Sequence, residues 1–258
     1  MYNDELTQFD VLGVGVTATN MQSATAEILG WVRMGLKKYV CFSTAYGVME
    51  SQRDRDLLNA FNHSGMTVPD GMPLVWLGKR YGHRAMGRVY GPDLMLEVCR
   101  ASLPFGYSHF LYGGNIGVAE DLRDELKRRL PGIRIAGIWT PPYRELLHEE
   151  ELNLARTVAE AKPDFMWIGL GTPKQERFMA RYIDRLDVKV MLGVGAAFDY
   201  LSGRSKDAPA WMKRCGMQWA HRLYREPRRL WKRYLVNNPV FVYRCGIQLM
   251  KELIWQKN

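Results

Sequence analysis

One carboxylate stands out by its setting. The stretch Val68-Pro69-Asp70-Gly71-Met72-Pro73 encloses a single acid between two prolines and a glycine. Proline fixes φ and cannot donate a backbone hydrogen bond, and glycine lets the chain reverse without a side-chain clash. The segment therefore predicts a stiff turn that holds Asp70 in one direction, which a general base requires. Pro-Asp-Gly is also ordinary turn chemistry, and a solvated turn aspartate carries the same signature. The neighbours of the turn must decide between the two.

Three further stretches share one logic, an apolar strand followed by a glycine-rich turn. They are His109 to Tyr112 with Gly113-Gly114-Asn115-Ile116-Gly117, Phe165 to Leu170 with Gly171-Thr172-Pro173, and Val188 to Val194 with Gly195-Ala196-Ala197-Phe198-Asp199. Glycine there lets the backbone approach a phosphate, and a following helix offers free N–H groups and its positive dipole end. Gly169-x-Gly171 and Gly193-x-Gly195 each lack the third glycine of GxGxxG, so a dinucleotide fingerprint is incomplete. Gln175 has two readings. In Thr172-Pro173-Lys174-Gln175 it fits a capping box, with Thr172 at the N-cap and glutamine at the third position; a functional Gln175 turns toward the ligand instead. Asp54-Arg55-Asp56 resembles a metal-chelating triplet, but it falls in a helical pattern running from Val48 to Asn62. Residues two apart on a helix point about 200° apart, so these carboxylates read as a solvated face.

The elements that must position these groups follow from periodicity. Asp10 to Thr19 predicts a hairpin turning near Gly13 or Gly15, and Asn20 caps a helix from Met21 to Met34 that Gly35 ends. Tyr39 to Ser43 is a buried strand that leaves Thr44 at its C-terminal end. Pro73 to Leu77 opens a helix, and Asp93 caps another from Leu94 to Ser102. A helix runs to Leu130, a strand lies near Ile133 to Ile138, and a helix covers about Glu145 to Ala161. Strands alternating with helices of this length predict an α/β fold, with a mostly parallel Rossmann-like sheet covered by helices. In such sheets ligands bind outside the carboxyl ends of the strands, which is where Thr44, Asp70 and the glycine turns fall.

The chain has 258 residues, 47% hydrophobic and 24% charged, with a formal charge of +9. From Arg204 onward there are 13 Lys or Arg against three acids, so that segment carries +10 and the remainder −1. Residues 1–203 thus read as a catalytic core and 204–258 as a basic helical C-terminal appendage, which also holds four of the eight tryptophans. Trp and Tyr beside Lys and Arg suit an anionic membrane surface, single-stranded nucleic acid, or closure over a departing diphosphate. His221 in this context reads as structural. The acidic start, Met1 to Glu5, predicts no secretory signal, and no apolar run is long enough to span a bilayer. Cys41, Cys99, Cys215 and Cys245 lie far apart and form no CxxC, which argues against a zinc site and predicts reduced thiols; no cofactor and no metal are expected.

In the order Pro69 to Pro73, Arg88-Val89-Tyr90-Gly91-Pro92-Asp93-Leu94, Gly113-Gly114, Gly169 to Glu176, Gly193 to Asp199 and the tryptophan–arginine tail, the chain resembles the WecG/TagA/CpsF family of bacterial glycosyltransferases. The resemblance implies an inverting, metal-independent enzyme that moves a sugar from a UDP-sugar donor to a polyprenyl-diphosphate-linked sugar acceptor. It also implies a cytoplasmic protein, peripheral on the inner face of the membrane, with no nucleic-acid partner and with oligomerisation linked to the tail. It assigns Asp70 as catalytic base and Gln175 to the catalytic site. Thr44, Tyr46, Arg88, Gly113, Gly114, Asn115, Gly169, Gly171, Pro173, Gly195, Phe198 and Asp199 fall to substrate binding, and Arg222, Arg229 and Arg233 to the diphosphate. Many members carry asparagine where this chain has Tyr46, which leaves room for glucose or another hexose donor. The rival readings are a dehydrogenase or methyltransferase on the same sheet type, and a nucleic-acid binder led by the tail.

Overall fold

The computed structural model describes residues 6–255; the acidic start and the last three residues of the tail lie outside the described residues. A hairpin comes first, β1 (Gln8–Val11) and β2 (Val14–Thr17), turning at Leu12-Gly13 as expected. Six parallel strands follow: β3 (Lys38–Ser43), β4 (Met66–Pro69), β5 (Ser108–Gly113), β6 (Arg134–Trp139), β7 (Phe165–Gly169) and β8 (Val190–Leu192). Their spatial order is β4-β3-β8-β7-β5-β6. The last strand in sequence is thus inserted between β3 and β7, and in such open sheets ligands bind at the carboxyl edge.

Alternation along the strands feeds two apolar layers. On β7, Phe165 and Trp167 join the layer of Ile28, Val98 and Leu122, whereas Met166 and Ile168 join that of Val158, Phe178 and Met191. Side chains on successive residues of a strand face opposite sides, so a sheet covered on both faces reads as a continuous apolar run.

The helix Met21–Met34 has the predicted ends. The Asn20 side chain accepts from the Ser23 amide at 3.0 Å, and Gly35 closes it at φ 69°. Two expectations need correction. The helix forecast over Val48 to Asn62 is two helices, Ala45–Ser51 and Arg55–Asn62. Asp54 breaks them by capping the second, accepting from the Leu57 amide at 3.1 Å while its other oxygen pairs with Arg177. The helix forecast from Leu94 begins at Gly91, so Asp93 lies inside its first turn instead of capping it.

The tail is helical: Ala210–Arg214, Gln218–Arg225, Pro227–Trp231, a π-helical turn at Lys232–Val236, and Asn237–Trp255. It does not hang free. Phe241 and Cys245 are buried in the same apolar layer as Val11 and Met49. The Gln248 amide accepts from the Leu12 N–H at 2.9 Å and donates to the Asp10 carbonyl at 3.1 Å. All four cysteines are free thiols.

Candidate active site

The Asp70 turn is clamped from both sides. The amides of Asp70 and Gly71 both donate to the Ser43 carbonyl, at 2.9 and 3.3 Å, and the Val89 amide donates to the Pro69 carbonyl at 3.0 Å. Gly71 then starts the helix Met72–Arg80, with Pro73 in its first turn. Proline there costs no hydrogen bond, because the first amides of a helix have no intrahelical partner. On the adjacent strand, Thr44 caps Ala45–Ser51 through its hydroxyl, which accepts from the Gly47 amide at 3.3 Å.

These ends border a cleft of about 460 Å³, within the range of small-molecule sites. It is lined from β4 by Asp70, from β3 by Thr44 and Tyr46, from β7 by Gly169, Gly171, Pro173 and Gln175, and from β8 by Gly195 and Asp199. Arg88 comes from the loop beyond Asp70, and Arg222, Arg229 and Arg233 arrive from the tail. Gly113, Gly114, Asn115 and Phe198 do not line it. A Cβ on Gly113 would lie 2.8 Å from the Gly169 backbone, and one on Gly114 would press on Val118 and Phe198. Those glycines let protein approach protein. Asn115 is exposed and Phe198 is core.

Charge is arranged about Asp70. Its side chain is 21% exposed, and Arg88 Nη2 donates to Oδ1 at 3.4 Å. Burial lifts the carboxyl above the ordinary aspartate range, against the pull of Arg88, Arg222 and Arg233. The Nε–H groups of Arg222 and Arg233 are buried without a partner among the described residues. Buried donors are almost always satisfied, so two orphaned N–H groups on cationic side chains that line one cleft point to an anionic ligand. Arg233 is stacked 4.2 Å over the Tyr46 ring, and Arg229 pairs with Glu226 at 2.5 Å. Asp199 is also raised by burial, against Arg229.

Over residues 9–254 the chain matches the glycosyl transferase WecG/TagA/CpsF family. The chain belongs to that family. It is 32% identical to an N-acetylglucosaminyldiphosphoundecaprenol N-acetyl-beta-D-mannosaminyltransferase of Bacillus subtilis, across 71% of this chain and 69% of that protein. The protein of the same description from Staphylococcus aureus strain MRSA252 is 27% identical across 73% of this chain and 72% of its own length. This chain is accordingly a glycosyltransferase.

Within this family member, Gln175 is neither a capping glutamine nor a free amide. The helix starts at Lys174, so Gln175 is its second residue and Thr172 is not its N-cap. Gln175 Oε1 accepts from the Gly171 amide at 3.1 Å, and Nε2 donates to the Gly193 carbonyl at 2.6 Å. It ties the β7 and β8 loops together from inside the cleft wall. Glu176 beside it is fully buried, accepts from Thr172 Oγ1 at 2.9 Å, and is pushed up to about 6 by burial. Among the described residues no group of three His, Cys, Asp or Glu could hold a metal ion, and no helix is long and apolar enough to cross a membrane. Sequence reasoning missed Tyr90, Asp207, Lys213 and Gln218, which form a polar network beside Arg88. Tyr90 stood within a quoted motif, but nothing in the sequence paired it with a residue more than a hundred positions away.

Proposed function

We propose that the chain transfers a hexose or N-acetylhexosamine from a UDP-sugar to a sugar carried on a polyprenyl diphosphate, with inversion and with Asp70 as general base. The observation that carries this is one carboxylate held against a cleft also lined by Arg222 and Arg233, each with a buried Nε–H that has no partner among the described residues. Asp70 takes the proton of an acceptor hydroxyl as that oxygen attacks the anomeric carbon. The bond from that carbon to the diphosphate oxygen breaks with its electron pair, and UDP leaves from the opposite face. Arg222 and Arg233 meet the charge that develops on the departing diphosphate, without a metal. Thr44, Tyr46 and the β7 and β8 loops bind the sugar nucleotide, and Gln175 keeps those loops in register. The relatives' printed names support an N-acetylglucosaminyl-diphosphate-lipid acceptor.

A lipid-linked acceptor calls for docking at a membrane, and residues 204–258 supply the surface. Trp211, Tyr224, Trp231 and Leu235 are exposed, as is Trp76, which lies beside Gly216. Arg225, Arg228 and Lys232 are exposed on the same segment. Aromatic bodies with cationic neighbours suit the boundary between acyl chains and anionic headgroups.

The test is UDP release across a set of UDP-sugars with a short prenyl-diphosphate N-acetylglucosamine acceptor, in the presence of chelator. UDP should appear only with acceptor, and an α-linked donor should give a β-linked product by NMR. Asp70→Asn should lower turnover by about 10²–10⁴-fold while retaining UDP binding. Full activity in that variant, or a retained anomer, would overturn the reading.

A further inference from the structure

The network that the sequence did not show connects the tail to the base. Arg88 Nη2 reaches Asp70 Oδ1 and also donates to Gln218 Oε1, while Arg88 Nε donates to the Asp70 carbonyl. Gln218 Nε2 donates to Tyr90 OH at 2.6 Å and to Asp207 Oδ1 at 3.1 Å. Tyr90 OH donates to Asp207 Oδ1 at 2.9 Å, and Lys213 Nζ donates to Asp207 Oδ2 at 3.0 Å. Arg88 stacks 4.4 Å over the Tyr90 ring, and its Nη1 donates to the Lys213 carbonyl at 3.4 Å.

The Gln218 amide has only one workable orientation here. A guanidinium is donor-only, so it must face the amide oxygen; a carboxylate is acceptor-only, so it must face the NH2 group. Rotating the amide by 180° would break both contacts. Its NH2 group donates twice and its oxygen accepts from Arg88, and the residue is only 8% exposed. A glutamate at this position could face Arg88 but would set a second carboxylate against Asp207.

We infer that Gln218 is a positioning residue, which reads whether the tail is seated and, through Arg88, fixes the direction and the ionisation of Asp70. Arg88 then has two stations. With the tail seated it is also held by Gln218 and Lys213; without the tail it keeps only the Tyr90 ring and the Asp70 turn. The inference rests on Asp70 being the base. The charged and titratable groups facing Asp70 are Arg88 and Tyr90 from the loop after the turn, Arg222 from Gln218–Arg225 and Arg233 from the π-helical turn. Asp93, Asp207 and Lys213 stand behind Arg88.

The experiment is the pH profile of kcat/KM for the full chain, Gln218→Met, Gln218→Glu and Asp70→Asn, with melting temperatures for each. Both Gln218 variants keep the side-chain volume. Gln218→Met frees Arg88, and Gln218→Glu adds negative charge beside it; each weakens the cationic hold on Asp70. The acid limb should move up by about one pH unit in both, with kcat at neutral pH reduced by roughly tenfold and UDP affinity within about twofold. A glutamine that merely packs the tail would alter melting temperature and leave the limb in place. In an Asp70→Asn background Gln218→Met should add little further loss, because the two act on one group. An unmoved acid limb in a folded Gln218 variant, with Asp70→Asn inactive, would overturn the relay alone. An active Asp70→Asn would instead remove the base assignment beneath it.

Discussion

The carboxyl edge of the sheet has two halves that look alike in sequence and differ in use. The loops after β4, β3, β8 and β7 border the cleft, while the Gly113-Gly114 turn after β5 is closed against its neighbours. At Gly171, φ is 75° and an added Cβ would meet open space; at Gly113, φ is 118° and it would strike the Gly169 backbone. Both positions demand glycine. At Gly171 the demand is set by the turn beside a ligand space, and at Gly113 by the close approach of β7. A glycine turn therefore marks where backbone comes near something, and only the fold says whether that something is ligand or protein.

The largest expected effect lies in the open half. Removing both orphaned cations with Arg222→Ala and Arg233→Ala should cut kcat/KM by about 10³-fold, since a hydrogen bond to a charged group is worth roughly 1.5–3 kcal/mol. Arg229→Ala should cost less than about tenfold, because Arg229 already has Glu226. If steady-state kinetics with a UDP-sugar give equal losses for all three, the distinction between paired and orphaned cations is broken.

In the closed half the effects fall on stability. Gly113→Ala combines a forbidden φ with a backbone collision and should cost about 4 kcal/mol, lowering the melting temperature by about 10 °C. Activity per folded molecule at low temperature should survive better than in the arginine variants.

Beneath that half, His109 on β5 is fully buried between Phe165 and Trp167 and held down to about 4 by burial. Trp167 Nε1 donates to its Nδ1 at 3.1 Å, which leaves the proton on Nε2, facing Ser102 Oγ at 2.9 Å. Above pH 6.5 both folded and unfolded chains hold it neutral, and its contribution is complete. Between pH 6.5 and 4 only the unfolded chain gains a proton, so stability falls by up to about 3 kcal/mol and then levels. Glu176 works in the opposite direction, since its raised carboxyl takes up a proton in the folded state first. Denaturant titrations of wild type and His109→Gln across that window isolate the histidine; a parallel pair of curves would refute it. The smallest effect is Asn115→Ala, exposed at the turn, which should stay within about 0.5 kcal/mol and leave kinetics unchanged.

The parts of the fold visible in sequence were those written in local code. Asn20 and Gly35 bracket a helix, strand alternation gives the covered sheet, and two prolines hold Asp70 at a strand end. Asp54 misled because an acid inside an apolar period looks the same whether it decorates a helix or interrupts one. Gly113 and Phe198 misled because strand order, which places β5 against β7 and brings Phe198 onto Gly169, is not a local property. Gln175 stands out in the sequence, but its contact with the β8 loop depends on that same order. The Gln218 network was invisible because its members lie on three separated segments and meet only when the tail folds back.

The clasp between Gln248 and the first hairpin bears on how this protein can be dissected. Shortening the chain from its C-terminal side would unroof Phe241, and with it Val11 and Met49, before it ever reached the arginines over the cleft. A clipped version would be a damaged body instead of an uncovered one. The proposed lipid docking is therefore best tested apart from catalysis by replacing single side chains on the outer surface of Pro227–Trp231, leaving the strap buckled.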